Sequence, residues 1–139
     1  MIILDTNVLS ELMRPVPDER VVEWVDGQPS ASLFTTTVTQ AEILLGVSIL
    51  PEGKRKQDLS ATVDAMFAQD FRSRLLPFDG LAAVAFASIC SERTRLGRPI
   101  SQFDAQIAAI AHSRGASLAT RNTSDFDGCD IRVIDPWQS

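Results

Sequence analysis

The chain has 139 residues, 45% of them hydrophobic and 22% charged, and a formal net charge of −5. That is enough apolar material for one core and one domain, 1–139, and it excludes a disordered chain or a disulfide scaffold. No apolar stretch approaches the ~20 residues of a membrane span, and Met1-Ile2-Ile3-Leu4-Asp5 lacks the basic start and long apolar run of a signal peptide, so the expectation is a cytoplasmic protein.

Ile2-Ile3-Leu4 is a short, partly β-branched run that stops at Asp5-Thr6-Asn7, as a buried strand does when it enters an Asx-type turn or a helix cap. Val8 to Met13 reads as a brief helix stopped before Pro15, and Asp18 to Trp24 as another, closed by Gly27 and Pro29. Leu33-Phe34-Thr35-Thr36 is the second strand. It leads into a helix from about Gln40 to Leu50, then a longer one from Lys54 to Phe71. Leu75 to Phe78 is a third strand, at an edge or cut short by Pro77. An Ala-rich helix follows Asp79-Gly80 to about Leu96, Ser101 caps a further helix ending near Gly115, and Ser117–Thr120 and Ile131–Ile134 are the last two strands. Short strands alternating with helices predict an α/β fold with a mainly parallel sheet, whose working site lies beyond the carboxyl ends of the strands.

Four acids fall in that region. Asp5 ends the first strand; it reads either as a cap for the next helix or as a ligand for a hard cation. Glu42, in Thr39-Gln40-Ala41-Glu42, matches a capping box, yet its helical face carries Val38, Leu45, Gly46 and Ile49, where an unpaired carboxylate is costly. Asp104 repeats the pattern in Ser101-Gln102-Phe103-Asp104, among Ile100, Ile107, Ala108 and Ala111. Asp125 follows the fourth strand in a loop where Asp127 competes for any role. Clustered carboxylates cannot all stay ionised in a cleft without cations. Oxygen ligands without histidine or thiolate favour Mg²⁺ or Mn²⁺ over zinc.

The remaining chemistry is sparse. His112 reads as a helix-terminal residue facing the dipole. Cys90 and Cys129 form no zinc spacing with it and are expected to stay reduced. The negative charge opposes phosphate binding, although bound cations invert the local field. Lys54-Arg55-Lys56, the Arg93, Arg95, Arg98 group and Arg121 are the candidate backbone contacts, or simply solvated surface.

Four segments in order carry a family resemblance: Ile3-Leu4-Asp5-Thr6-Asn7-Val8-Leu9-Ser10-Glu11-Leu12, Thr39-Gln40-Ala41-Glu42-Ile43-Leu44-Leu45-Gly46, Phe103-Asp104-Ala105-Gln106-Ile107-Ala108-Ala109-Ile110-Ala111 and Leu118-Ala119-Thr120-Arg121-Asn122-Thr123-Ser124-Asp125-Phe126. Together they resemble the PIN-domain toxins of VapBC-type toxin–antitoxin modules, within them the FitB-like group. The resemblance implies a Mg²⁺- or Mn²⁺-dependent endoribonuclease whose metal is carried by Asp5, Glu42 and Asp104, with Asp125 completing the acidic set. It also implies a homodimer and a cognate antitoxin whose tail covers the active site. DNA would then be reached only through the antitoxin, and transfer RNA is one candidate substrate. Many relatives have an acid where Asn122 stands, and an amide is a weaker ligand for a second cation.

On this reading Thr6 and Asn7 orient the Asp5 carboxylate or the attacking water, with Thr120 and Asn122 as further supports, while Arg121 and Arg98 are the candidate RNA contacts. Two other readings use the same acids. One is a DNA-directed nuclease or a phosphatase; an acylphosphate route is disfavoured because the residue two after Asp5 is Asn7. The other is a non-catalytic binding module in which the acids only cap helices.

Overall fold

A computed structural model describes residues 1–138 as five short strands and six α-helices. The strands are β1 (Ile2–Leu4), β2 (Leu33–Thr36), β3 (Leu75–Leu76), β4 (Ser117–Ala119) and β5 (Val133–Ile134). They form one sheet in the order β3-β2-β1-β4-β5, and every pairing is parallel. The helices are α1 (Thr6–Leu12), α2 (Glu19–Asp26), α3 (Thr37–Ser48), α4 (Lys54–Ala65), α5 (Gly80–Arg95) and α6 (Gln102–Arg114).

Parallel strands need helical crossovers, and these cover both faces of the sheet. Ile3 and Leu118 point to one face, where they meet Ala82, Ala85 and Ile89 of α5 and Ile107, Ala108 and Ile110 of α6. Leu4 and Ala119 point to the other, against Val8 and Leu9 of α1, Val21 of α2, Ile43 and Val47 of α3 and Val63 of α4. Ile3, Leu4, Leu9, Ile107 and Ile110 are fully buried; each contributes roughly 1.5–3 kcal/mol relative to an exposed position. The alternation along three-residue strands is therefore what fixes their register.

The element order read from the sequence holds, with differences at the ends. Helix α3 begins at Thr37, capped by Thr36, whose hydroxyl accepts the Thr39 N–H. Threonine at the end of β2 already has the extended backbone a cap requires, so the expected capping box at Thr39 is not used. The helix expected to run to Phe71 stops being α-helical at Ala65 and ends in a π-helical turn, Met66–Asp70, which turns both Met66 and Phe67 into the core. Pro77 follows β3 directly, and β3 is indeed an edge strand of two residues. At α6 both expected ends are found: Ser101 accepts the Asp104 N–H, and Gly115 closes the helix at φ 62°, a left-handed conformation that glycine adopts without strain. His112 lies in its last turn, exposed, with Nδ1 3.2 Å from the Asp130 carbonyl.

Candidate active site

After β1 the chain moves outward to β2 and β3 on one side, then returns through α5 and α6 to β4 on the other. The point where the winding direction reverses lies between β1 and β4, and the strands' carboxyl ends diverge there into a crevice. Asp5 is the first residue past β1, with its N–H bonded to the Ala119 carbonyl of β4 at 2.9 Å. Asp5 is thus fixed at the mouth of that crevice by backbone topology.

Glu42 reaches the same place from the second turn of α3, and Asp104 from the first turn of α6. All three line one cleft of about 510 Å³ together with Thr6, Asn7, Ser10, Glu11, Arg14, Arg121, Asn122 and Trp137. Asp5 is buried, Glu42 and Asp104 half-buried. Burial raises the Asp5 carboxyl from 3.8 to about 6, with the charges of Asp104 and Glu42 adding to the effect and hydrogen bonds from Thr120 and Thr6 opposing it. Glu42 is raised by burial and by Asp104, and Asp104 by burial and by Asp125. The three acids therefore feel each other's charge. Among the described residues, no three acidic, imidazole or thiol side chains stand close enough together to enclose an ion as they are placed.

Their supports are specific. Asp5 Oδ1 accepts the Thr6 backbone N–H at 2.8 Å, so the capping role foreseen for Asp5 is real. Its other oxygen accepts the buried Thr120 hydroxyl at 2.7 Å. The Thr6 hydroxyl donates to Glu42 Oε1 at 2.9 Å, and it lies 3.1 Å from the Thr39 hydroxyl. Thr6 thus holds Asp5 through its backbone and Glu42, rather than Asp5, through its side chain. Asn7 acts at one remove: its Nδ2 donates to the Thr120 hydroxyl at 3.4 Å, while its Oδ1 accepts the Arg121 N–H at 3.4 Å. The Asn122 N–H also donates to Thr120 Oγ1.

Three sequence expectations change. The apolar face around Glu42 is core only at its start: Val38 is buried, whereas Leu45 and Ile49 are 57% and 74% exposed. Asp125 is exposed, on a 3₁₀ turn (Thr123–Phe126), and does not line the cleft although its charge reaches Asp104. Its competitor Asp127 pairs with Arg98 at 3.4 Å. Finally, Arg93 is not available to a phosphate. It is 5% exposed, with Nε donating to the Arg98 carbonyl at 2.7 Å and Nη1 to the Asp125 and Asp127 carbonyls at 2.8 and 3.0 Å. It ties the start of the α5–α6 connection to the loop after β4. The remaining basic groups are partly spoken for: Lys54 pairs with Asp58, Lys56 with Glu52 and Arg95 with Glu92.

The cleft also contains residues that the motifs alone do not single out. Glu11 is buried, accepting the Asp18 N–H at 3.1 Å and Arg14 Nη1 at 3.4 Å; its i,i+3 spacing to Arg14 is the signal in the sequence. Trp137 sits in a final 3₁₀ turn, Pro136–Gln138, with its backbone N–H donating to Asp135 Oδ1 at 2.9 Å. Asp-Pro-Trp after the last strand is the local sign of such a turn. Beside the cleft runs a larger groove of about 740 Å³, which shares Thr6, Ser10, Arg14 and Glu42 with it. The groove is floored by Met13, Pro15, Ile43, Val47 and Leu59 and edged by Lys54 and Arg55.

A five-stranded parallel sheet with helices on both faces and acids from three elements converging at its switch point is the arrangement of a PIN domain. The chain belongs to the PIN-domain family, which it matches over residues 2–130. Within that family it falls among the VapC-type toxins. It is similar over its length to the toxin FitB of Neisseria gonorrhoeae, 40% identical over 137 residues and covering 99% of each chain. It is likewise similar to the VapC ribonuclease Y4jK of Sinorhizobium fredii, 36% identical over 138 residues with 99% of each covered. The crystal structure of FitAcB from Neisseria gonorrhoeae superposes with a TM-score of 0.94 at 40% identity, covering all of both chains.

Proposed function

We propose that this chain is the ribonuclease toxin of a type II toxin–antitoxin module, hydrolysing RNA phosphodiester bonds with Mg²⁺ or Mn²⁺ held by Asp5, Glu42 and Asp104. The observation that carries the reading is the meeting of three carboxylates from separate elements in one cleft, two of them raised partly by another member of the set and Asp104 by neighbouring Asp125. Buried like charges persist only where a counter-charge repays them. The donor set suits a hard ion, being carboxylate oxygen throughout, with no imidazole or thiolate in the cleft lining. What such an ion supplies is a more acidic water and neutralised charge at the phosphate.

The chain's own groups hold this arrangement in register. Thr120 and the Thr6 N–H fix both oxygens of Asp5, and the Thr6 hydroxyl turns Glu42 toward it. The Ser101 cap sets the start of α6 and with it Asp104. Asn122 stands at the cleft where many relatives have an acid, and Asp125 is an outer carboxylate acting on Asp104 through space. Asp5, Glu42 and Asp104 would hold one ion, and the Asn122 amide, a weaker ligand than an acid, would leave a second ion to be held with the substrate phosphate. The non-catalytic reading fits Asp5, which is a cap, but not Glu42, which lies in the second turn and caps nothing.

The relatives are named a toxin and a ribonuclease, and the partner that follows from the family is an antitoxin. The apolar groove next to the cleft suits an apolar segment of that partner, and the acidic cleft suits a basic side chain at its end. Exposed Leu45 and Ile49 on α3, with Leu81 and Val84 on α5, supply apolar surface for a homodimer. The test is cleavage of a fluorescent structured RNA and its DNA counterpart by the antitoxin-free protein in Mg²⁺, Mn²⁺ or EDTA. RNA cutting that needs the ion and is lost in Asp5→Ala is expected. Equal cutting of DNA would move the reading to a general nuclease, and absence of both cutting and Mn²⁺ binding would overturn it.

A further inference from the structure

We infer that Arg121, laid across the buried ring of Trp137, forms a phosphate-binding subsite beside the acidic cleft and takes a backbone phosphate of the RNA next to the bond being cut; this rests on the ribonuclease reading above. Arg121 directly follows Thr120, the residue that holds Asp5, and its own N–H is tied to Asn7. Its guanidinium carbon lies 5.1 Å from the centre of the Trp137 ring. Trp137 is 3% exposed and belongs to the core that includes Leu4 and Val21, and its backbone N–H is tied to Asp135. Arg121 therefore rests on a rigid shelf, whereas an ordinary surface arginine samples many rotamers.

Two features point to an anion as the ligand. First, a cation–π contact uses no N–H donor, so the guanidinium keeps its N–H groups for a bidentate acceptor such as phosphate. Second, Arg121 lines the same cleft as Asp5, Glu11, Glu42 and Asp104, yet among the described residues no carboxylate comes within the 4.0 Å of an ion pair with it. The other arginine of the cleft, Arg14, already lies 3.4 Å from Glu11. The charge of Arg121 reaches Asp18, which is already paired with Arg20 at 2.9 Å, so the Arg121 guanidinium is left for a charge that arrives with the substrate. The inner acids would hold the ion that serves the scissile phosphate, so the position left to Arg121 is the neighbouring phosphate. Trp137 is then a positioning residue, acting only through Arg121.

The test is anisotropy binding of a short fluorescein-labelled single-stranded RNA of mixed sequence, in Ca²⁺ over a salt series, beside steady-state cleavage in Mn²⁺. Arg121→Ala is expected to weaken binding about tenfold, the size of one charged hydrogen-bonded contact. It should also reduce the slope of log K against log salt by about 0.7, the share of one phosphate on a single strand. Arg121→Lys keeps the slope while losing part of the affinity. Trp137→Leu behaves like Arg121→Ala, and Trp137→Phe, which retains an aromatic shelf, stays near the wild type. KM carries most of the change, and Mn²⁺ affinity by calorimetry is not weakened in any of the four variants, which reports an intact acidic site. Wild-type slope and affinity in Arg121→Ala, in a protein that still cuts RNA, would overturn the subsite and leave the ribonuclease reading standing. A wild type that neither binds nor cuts RNA would overturn both.

Discussion

Two buried charged regions lie close together in this molecule and are handled in opposite ways. Around Arg93 a single cation is enclosed by the carbonyls of Arg98, Asp125 and Asp127, each within 3.0 Å. A few residues away, at Asp5, Glu42 and Asp104, anions are gathered with hydroxyls and N–H groups for support but no cation bonded to them. The first region satisfies its charge entirely from within the chain, and that is what a structural role needs. The second is left short of counter-charge: burial raises all three acids and neighbouring carboxylates add to it, with the charge of Arg93 opposing the rise at Asp104 alone. A folded chain tolerates such a deficit where something outside the chain makes it good.

This contrast can be broken from either side. The largest effect on stability is expected at the satisfied region. Arg93→Leu strands three carbonyls behind the site and should cost about 3 kcal/mol, read as a fall in the urea midpoint. Because the same side chain holds the loop of Asn122 and Asp125, cleavage should drop with it, and Arg93→Lys should recover only part of either.

At the acidic region the sign reverses. The Asp5 carboxyl titrates at about 6 in the fold and at 3.8 when free. A raised value means that the folded state holds its proton more tightly than the unfolded state does. The resulting stabilisation is complete below 3.8 and is lost as pH rises through about 6. At neutral pH the ion-free protein therefore carries a cost of up to about 3 kcal/mol for the ionised group. Asp5→Asn is expected to be the more stable protein at neutral pH without divalent ions, by about 1–3 kcal/mol. Its advantage should vanish in acid and be overtaken by the wild type when Mn²⁺ is added. Thermal melts across pH, with and without Mn²⁺, check this; a wild type more stable than the variant at neutral pH in EDTA would contradict it.

The smallest change sharpens the picture. Thr120→Val removes the hydroxyl that donates to Asp5 Oδ2, a bond that lowers the Asp5 value. Its loss should cost about 1 kcal/mol and push the Asp5 titration still higher, visible by NMR of the labelled carboxyl carbon.

Much of this is legible in the sequence because short apolar runs ending at Asp5 and Thr36, and the Ser101 and Gly115 caps, obey local rules that tertiary packing does not override. Asp5 and Glu42 can be placed near one another once a parallel sheet is inferred, since such a sheet sends the residues after its strands to one edge, and Asp104 joins them because α6 must start at that edge to lead back into β4. Which hydroxyl serves which carboxylate cannot be read, because the Thr6–Glu42 and Thr120–Asp5 bonds join residues 36 and 115 positions apart. Arg93 is more instructive. Among three arginines near the end of α5 it resembles its neighbours in composition, yet it continues the inward stripe Ala82, Ala85, Ile89 at helical spacing. That stripe is a signal of burial carried by the sequence itself. The exposure of Leu45 and Ile49 escapes the sequence for the converse reason: periodicity identifies an apolar face but not what covers it.

The most direct test of the central claim is Asp104→Asn, assayed for fold, Mn²⁺ binding and RNA cleavage on one preparation. The expected result is an ion-free protein at least as stable as the wild type, Mn²⁺ affinity sharply reduced, and cleavage lowered by roughly a hundredfold or more, the scale of a lost electrostatic element in a catalytic site. An Asp104→Asn protein that folds, binds Mn²⁺ and cuts RNA as the wild type does would contradict it.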